Sequence, residues 1–320
     1  MNTLDDGLDT AQMKIFFCLL LFLITSVYTD RCHSQELEPG FLSTMPTGGN
    51  IAIASYGFSF GDILIDKSLP IEGLNSRLNI LGVGYFRSFK LFNRLAKFDM
   101  VLPFAFGTFS GLLEGQPESV SRQGFGDPLV RLSMILVGAD PLKPAEYFKQ
   151  KQKKFKLGLA MRFQVPLGQY DPEKLLNLGA NRWALRTALA GSYTLKEKIV
   201  LEAHLTSWFF SENDNFFGGN TSKQEPLYGV QFHTTYIFKP GIWIAGSLGG
   251  VWGGVTAING ADKPALNNSR IGLAFAYRLK KGSSLKFAYT NAFITTFGGD
   301  YDTFLLAYQF LWFDKKKERK

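Results

Sequence analysis

The sequence predicts an all-β fold: a transmembrane, antiparallel, up-and-down β-barrel of about 12 strands, with short periplasmic turns and longer external loops. Three observations predict it. Polar and apolar residues alternate with a period of two, the alternating segments run for about ten to thirteen residues, and their connections alternate between short and long. Aromatic residues make up 15% of the 320 residues, a high fraction for a soluble domain. After the N-terminus, no apolar segment reaches the length of a membrane-spanning helix.

Residues 1–34 are predicted to be an N-terminal extension and a cleaved signal peptide. Lys14 supplies a positive charge, residues 15–27 form an apolar core, and Cys32-His33-Ser34 is a small-x-small cleavage site. The core holds about 13 residues against the roughly 20 of a membrane-spanning helix, so an uncleaved anchor is the weaker alternative. Because the stretch before Met13 is acidic, we expect translation to start at Met13. Cleavage after Ser34 would remove both cysteines and leave an exported chain that needs no disulfide.

The alternation is clearest in IVLEAHLTSWFF, residues 199–210. One face carries Ile199, Leu201, Ala203, Leu205 and Phe209, and the other carries Val200, Glu202, His204, Thr206 and Trp208. A strand of this kind would place the first set against lipid and the second in the barrel lumen. The same pattern recurs at residues 155–166, 269–279 and 303–313.

The other predicted strands and their connections follow the same rhythm. The full set of predicted strands is 50–60, 76–88, 98–110, 126–138, 155–166, 182–194, 198–210, 227–238, 242–256, 269–279, 284–295 and 302–313. Tight turns are expected at 194–198, 238–241 and 279–283, and longer external loops at 167–181, 211–226 and 257–268. The long connection 139–154 falls on the periplasmic side and is expected to hold a short helix. An even strand number places both termini in the periplasm, with a barrel over residues 35–313 and a basic tail at 314–320.

Four stretches resemble a known family, the MetA-pathway of phenol degradation family of outer-membrane barrels labelled as transporters. They are GFGDPLVRLSMILVGA (124–139), PLGQYDPEKLLNLGANRWAL (166–185), ENDNFFGGNTSKQEPLYGVQFH (212–233) and NSRIGLAFAYRL (268–279). The resemblance runs from about Gly48 to Phe313. It implies an outer-membrane barrel that takes up small, often aromatic, compounds.

Several polar side chains are expected to project into the lumen. By period, Glu202, His204, Gln231 and His233 lie on the inner faces of neighbouring strands, as a solvated wall or as part of a solute pathway. Since the chain has 3 His, one of them in the predicted signal, we predict no metal site and no cofactor. Cations on the polar faces are Arg131, Lys156, Arg162, Arg186 and Arg270. Pairing with carboxylates is their ordinary role, and unpaired they would favour anionic solutes such as aromatic carboxylates.

The external loops are expected to fold inward and constrict the mouth, because Leu175, Leu176, Leu178 and the Phe216-Phe217 pair are too apolar for a fully wet loop. The predicted constriction consists of Asp171, Asn181, Arg182, Trp183, Asp214, Phe216 and Phe217. The stretch around Asp214 lacks the spacing and the closing Glu of a calcium loop. The glycines of GGVWGGV, residues 249–255, leave room for curvature or for a plug.

The sequence therefore predicts an outer-membrane channel of a Gram-negative-type bacterium that passes small, aromatic or hydrophobic, solutes passively. Its expected partners are outer-membrane lipids, lipopolysaccharide, the barrel-assembly machinery and the solute. The net charge of +8 comes largely from residues 149–156 and the C-terminal tail, so it does not indicate nucleic-acid binding. The alternatives are a lipid-hydrolysing barrel enzyme and a structural or adhesive surface barrel, both of which a plugged lumen would favour.

Overall fold

A closed antiparallel barrel forms nearly all of the protein. The computed structural model describes residues 37–64, 71–280, 282–296 and 298–315. The predicted signal peptide, the expected start at Met13 and residues 316–320 of the tail lie outside them. The barrel has 12 strand positions, and it closes because the first strand pairs with the last, from Gly49 opposite Phe313 to Leu64 opposite Gly298.

The strands are numbered in chain order. Those of the barrel are β1 (Gly49–Leu64), β2 (Ile71–Leu91), β3 (Arg94–Leu113), β4 (Gln116–Phe125), β5 (Leu129–Val137), β6 (Phe155–Gln164), β7 (Ala184–Leu195), β8 (Ile199–Phe210), β11 (Leu227–Lys239), β12 (Ile242–Gly253), β15 (Leu266–Arg278), β16 (Ser283–Ile294) and β17 (Gly298–Phe313). β4 and β5 share one strand position, because both pair with β3. The external loops contribute a small sheet of β9 (Asn213–Phe216), β10 (Asn220–Gln224), β13 (Thr256–Ile258) and β14 (Ala261–Asp262), with a 3-10 turn at Phe217–Gly219.

The predicted strand number is confirmed, and so is the short periplasmic helix, α1 (Pro144–Tyr147). The main difference is the length of β2 and β3, which run for 21 and 20 residues. They extend beyond the other strands, and β4 joins this extension. Every β4 residue from Gln116 to Ser121 is exposed, so both faces are wet and the sequence there carries no alternation. Among the described residues, no helix is long and apolar enough to cross a membrane.

The two faces of the strands are those that the alternation predicts. On β8, Leu205 is 51% exposed while its neighbour His204 is 2% exposed. Phe275 and Phe310 are likewise exposed on the outer face. Since aromatic and aliphatic side chains cover the outside and polar ones the inside, the barrel has the surface of a membrane-spanning protein.

The lumen is filled at mid-height by an N-terminal segment, residues 37–48, that precedes β1. Its side chains Phe41 and Leu42 are buried against a cluster of apolar wall residues, namely Leu95, Ile135, Ala160 and Ala190. Small wall residues leave the space: a Cβ on Gly158 would lie 2.7 Å from Leu42 Cδ2. Burying a Phe or Leu side chain contributes about 1.5–3 kcal/mol. The segment is therefore an apolar core for a barrel that otherwise has a polar interior.

Candidate functional site in the barrel lumen

A row of charged side chains crosses the inner wall above the buried apolar cluster. Asp99 on β3 lies opposite Arg131 on β5, Arg131 opposite Arg162 on β6, and Arg162 opposite Arg186 on β7. Neighbouring strands are about 4.8 Å apart, so the register brings three guanidinium groups side by side. Such a row is stable only if carboxylates offset its charge. Asp99 offsets part of it, since its carboxylate accepts a hydrogen bond from Arg131 Nε at 2.7 Å.

The other carboxylate comes from Glu38 of the N-terminal segment. Arg131 Nη1 donates to Glu38 Oε2 at 2.8 Å and Arg186 Nη1 donates to Oε1 at 3.2 Å. Arg162 donates to the same oxygen as Arg186. Burial alone would raise the pKa of Glu38, but the positive charges of the three arginines outweigh it and hold that pKa well below 4.5. Glu38 is therefore ionised, and its ion pairs bind the segment to the arginine row.

Three residues further along, the ring of Phe41 has its own set of contacts. Lys97 Nζ lies 5.3 Å from the ring centroid and Arg131 Cζ lies 5.7 Å from it. The His204 ring meets it edge-on, with centroids 5.3 Å apart and planes at 65°. Lys97 also donates a hydrogen bond to the Phe41 carbonyl. These contacts form a site for an aromatic ring under two cations, a favourable arrangement where water is excluded.

Glu202 and His204, which the alternation places in the lumen, hold the backbone of the segment. The Phe41 and Leu42 amides donate to the two carboxylate oxygens of Glu202 at 3.0 and 3.2 Å. His204 Nε2 lies 2.8 Å from Glu202 Oε1, and its ring is 4.7 Å from that of His233. Together these groups satisfy buried polar atoms of both the wall and the segment.

The remaining predicted wall residues complete this network. His233 contacts Ser247 Oγ through Nδ1 at 2.8 Å and Gln231 Oε1 through Nε2 at 3.1 Å. Gln231 is fully buried and Arg270 is 5% exposed. Within the described part of the chain, Arg270 Nε and Nη2 have no hydrogen-bond partner. All the predicted lumen residues thus lie on the inner wall, and the N-terminal segment covers most of the cluster.

Glu202, His204 and His233 form a possible donor set for a metal ion, since one ligand atom from each lies within 4.8 Å of the others. The sequence predicted no such site from the small number of histidines, so the structure brings together more than was expected. Both Glu202 oxygens already accept hydrogen bonds, and a cation would have to displace the segment and lie near the arginine row. The Ser247 hydroxyl lies within hydrogen-bond distance of the His233 ring, as a nucleophile lies beside its base in a hydrolase. They face the lumen, however, and His233 is 2% exposed, so they cannot act on membrane lipid.

The external loop 165–183 folds inward over the mouth, and a residue that the sequence analysis did not single out holds it there. The buried carboxylate of Asp127, at the break between β4 and β5, accepts hydrogen bonds from Gln164 Nε2 at 2.8 Å and from the Gly168 and Ala180 amides at 2.9 Å each. Its signal was the GFGDP motif, whose Asp lies between Gly126, directly after the end of β4, and Pro128, directly before the start of β5.

The predicted constriction residues are distributed differently from what was expected. Asn181 Nδ2 donates to Asn213 Oδ1 at 2.8 Å, and Arg182 donates to Gln224 Oε1 at 2.6 Å while lying over the Phe210 ring. Asn181 and Arg182 thus connect the loop before β7 to the loop after β8. Asp171 pairs with Lys174 within its own loop, Phe216 and Phe217 are half-buried in the loop sheet, and Asp214 is exposed. The expectation for Trp183 is wrong: it is 51% exposed, because it continues the outward-facing positions of β7.

Two cavities flank the N-terminal segment. On the external side, a cavity of about 460 Å³ is lined mainly by apolar groups, including Leu78, Ile80, Phe109, Leu176, Leu178 and Tyr301. On the periplasmic side, a cavity of about 890 Å³ is lined by Leu42 and Glu202 and by basic side chains, including Lys151, Lys153, Lys154, Lys156 and Lys196. Leu42 of the segment lines the periplasmic cavity, and the external cavity reaches Leu129 and Gln164 beside the arginine row that binds Glu38.

Comparisons with known proteins agree with this architecture. The sequence profile of one family, described as Putative MetA-pathway of phenol degradation, matches residues 59–314. The COG4313 outer membrane channel from Pseudomonas putida F1 is 22% identical, with a TM-score of 0.69 over 87% of this chain and 100% of that chain. The translocator domain of autotransporter NalP from Neisseria meningitidis is 9% identical, with a TM-score of 0.50 over 84% of this chain and 90% of that chain. No curated protein sequence matches significantly.

At these identities the two structures show a shared fold alone, that of an outer-membrane β-barrel. The family profile covers most of the chain, including the inward-folded loop and every strand from β2 to β17. The chain therefore belongs to the family described as Putative MetA-pathway of phenol degradation.

Proposed function

We propose that this protein is an outer-membrane channel through which small, aromatic or hydrophobic, solutes pass passively. The observation that carries the proposal is the pair of cavities inside one closed barrel, together with an N-terminal segment that lines one of them and takes part in no strand pairing. The family name, which refers to phenol degradation, and the structural likeness to an outer membrane channel support it. The apolar lining of the external cavity suits solutes with an aromatic or hydrophobic body.

We also propose that the chain is exported by a cleaved signal peptide, with a mature N-terminus at Gln35. Glu38 would then be the fourth residue of the mature protein. Because only three residues would precede Glu38, the N-terminal segment could leave its contacts in the lumen without pulling a long tail through the barrel. Mass spectrometry of the protein from the outer-membrane fraction checks the cleavage point.

A filled lumen was expected to favour a structural barrel or an enzyme. The filling here is a short segment. Side chains of the wall and the segment hold its first part, and backbone hydrogen bonds hold Thr47 and Gly48. A local displacement of the first part is the step that we propose joins the two cavities. A lipid-hydrolysing activity has little support, because the two histidines face the lumen and the family and the similar solved structures indicate no enzymatic class. No feature of the described loops favours adhesion.

Reconstitution tests the proposal. Liposomes containing the purified protein should swell in small aromatic acids and small neutral aromatics faster than in a sugar of similar size, and planar bilayers should show single-channel steps. Protein-free liposomes and liposomes with heat-unfolded protein serve as controls. Absence of both swelling and steps for every solute, with a correctly folded barrel, would contradict a channel function.

A further inference from the structure

We propose that the lumen contains a binding site for aromatic carboxylates, and that Glu38 and Phe41 occupy it as an internal substitute for that ligand. The arginine row of Arg131, Arg162 and Arg186 would take the carboxylate, and the neighbouring contacts of Lys97 and His204 would take the ring. The inference rests on the proposed channel function, since it names the class of solute that the lumen selects.

The carboxylate half of the site is a cluster of three cations that share one carboxylate of the N-terminal segment. Three guanidinium groups converge on the Glu38 side chain, and Arg131 of this row also pairs with Asp99 on the wall. Guanidinium groups prefer carboxylates because the two planar groups match in geometry. When Glu38 leaves, each of the three arginines would lose this carboxylate partner, at a cost that another anion in the same place would offset.

The ring half adjoins the carboxylate half. Arg131 contacts both occupants: its Nη1 lies 2.8 Å from Glu38 Oε2 and its Cζ lies 5.7 Å from the Phe41 centroid. One guanidinium therefore contacts both occupants, so the anion site and the ring site adjoin each other at Arg131. The His204 edge and Lys97 enclose the ring from other sides.

The external cavity leads to this site. Its lining includes Leu129 and Gln164, and each is the inward-facing position next to an arginine of the row, Arg131 on β5 and Arg162 on β6. On the other side of the segment lies the periplasmic cavity, lined by lysines. A solute that entered the apolar external cavity with its carboxylate leading would meet the arginines first, and would compete there with Glu38.

Other ligand classes fit less of the site. Inorganic phosphate or sulfate would satisfy the arginines and leave the ring contacts unused. A neutral phenol would fill the ring site and leave the arginines unpaired. A divalent cation at the Glu202 cluster would lie beside the cations of the row.

The test measures binding and passage separately, on the full processed chain. Isothermal titration in detergent gives the affinity for three probes: benzoate, cyclohexanecarboxylate and benzyl alcohol. The variant Glu38→Gln keeps the size of the occupant and removes its charge. It should bind benzoate roughly tenfold more tightly than the natural chain, because a charged competitor has been weakened. Glu118→Gln, an exposed position on β4, is the matched control and should behave as the natural chain does.

The order of affinities decides the inference. Benzoate should bind best, cyclohexanecarboxylate more weakly and benzyl alcohol weakest, and adding Arg162→Gln to Glu38→Gln should abolish the gain. Equal binding of the two acids would overturn the ring site, and preference for benzyl alcohol would overturn the arginine site. Heat-modifiable migration on gels verifies folding of each variant.

Passage through liposomes separates this inference from the proposed function. Swelling in all solutes without any benzoate binding would leave the channel standing and overturn the carboxylate site. Benzoate binding without passage in any variant would leave the site standing and contradict the channel.

Discussion

The backbone amide of Phe41 donates a hydrogen bond to the carboxylate of Glu202 at 3.0 Å, across 161 positions of the sequence. This bond changes the role of a strand that alternation alone assigns to a solvated wall. Glu202 also accepts from the next amide, that of Leu42, at 3.2 Å, so one side chain binds two consecutive backbone groups. The inner face of β8 is thus a receptor for the N-terminal segment.

Glu202→Gln should weaken the docking of this segment while leaving the barrel folded. A hydrogen bond to a charged acceptor contributes about 1.5–3 kcal/mol, and the amide that replaces the carboxylate has one acceptor oxygen for two donors. Hydrogen–deuterium exchange at Phe41 and Leu42 should accelerate by roughly tenfold or more. Exchange in β16, far along the sheet from β8, provides the internal reference. Unchanged protection at Phe41 and Leu42 would mean that other contacts hold the segment alone.

Docking of the segment should also depend on pH through Glu38. Its pKa in the docked state lies well below 4.5, so ionised Glu38 stabilises docking at and above the ordinary pKa of a carboxyl group. This stabilisation should fade as pH falls below about 4.5 towards the docked pKa. The charged and titratable groups around Glu38 are Arg131, Arg162 and Arg186, which stay charged in this range, and also Lys97, His204 and His233, with Asp99 behind Arg131.

Exchange at Phe41, corrected for the intrinsic effect of pH, measures this dependence between pH 7 and about pH 3. Glu38→Gln separates the effect of Glu38 from that of the other lumen carboxylates, Asp99 and Glu202. The variant should lack the step that the natural chain shows. An identical profile in both proteins would assign the acid response to those other groups.

Some of this architecture could be predicted because β-strands have a strict period. Leu205 and His204 are neighbours in the sequence and face lipid and lumen respectively, which alternation alone establishes. The N-terminal segment could not be predicted in the same way. LEPGFLSTMPTG has no period, and its partners lie on β3, β5, β6, β7 and β8, so nothing local indicates where it binds. The glycines and alanines of the inner wall, such as Gly158 and Ala160, were the available signal, since a solvated wall does not require small apolar residues.

The outer face gives a further prediction. Leu205→Arg should destabilise the folded barrel by about 2–4 kcal/mol, because it places a charge in the lipid near mid-strand. Period two alone would make an inner position such as Gln231 tolerant of the same change. Gln231 is fully buried, however, opposite His204, whose ring contacts Phe41 of the segment. Gln231→Arg should therefore be costly too, through overpacking.

Deleting the segment distinguishes these two costs. Without residues 37–47, the penalty of Gln231→Arg should fall while that of Leu205→Arg should not change. Urea titration of the barrel in lipid vesicles measures both. Equal penalties for Gln231→Arg with and without the segment would show that wall packing alone rejects the side chain.

The last prediction concerns the segment as the barrier to passage. A Cβ placed on Gly272 of β15 would lie 2.8 Å from Leu37 Cδ1, so side chains at 37 and 272 meet, and we choose this pair for a disulfide tether whose formation is verified by mass spectrometry. In the processed chain, which the proposed cleavage leaves without cysteine, the variant Leu37→Cys/Gly272→Cys should form this bond on oxidation and tether the segment inside the lumen. Solute flux into liposomes should then fall at least tenfold and return on reduction, whereas each single-cysteine variant should respond to neither treatment.

The tether acts on the segment and leaves the strand pairing of the wall unchanged. Loss of flux would therefore show that the channel is closed when residues 37–48 lie in the lumen. Undiminished flux through a barrel whose disulfide is verified by mass spectrometry would show that solutes pass beside the segment, and the path would then have to be sought along the inward-folded loop anchored by Asp127.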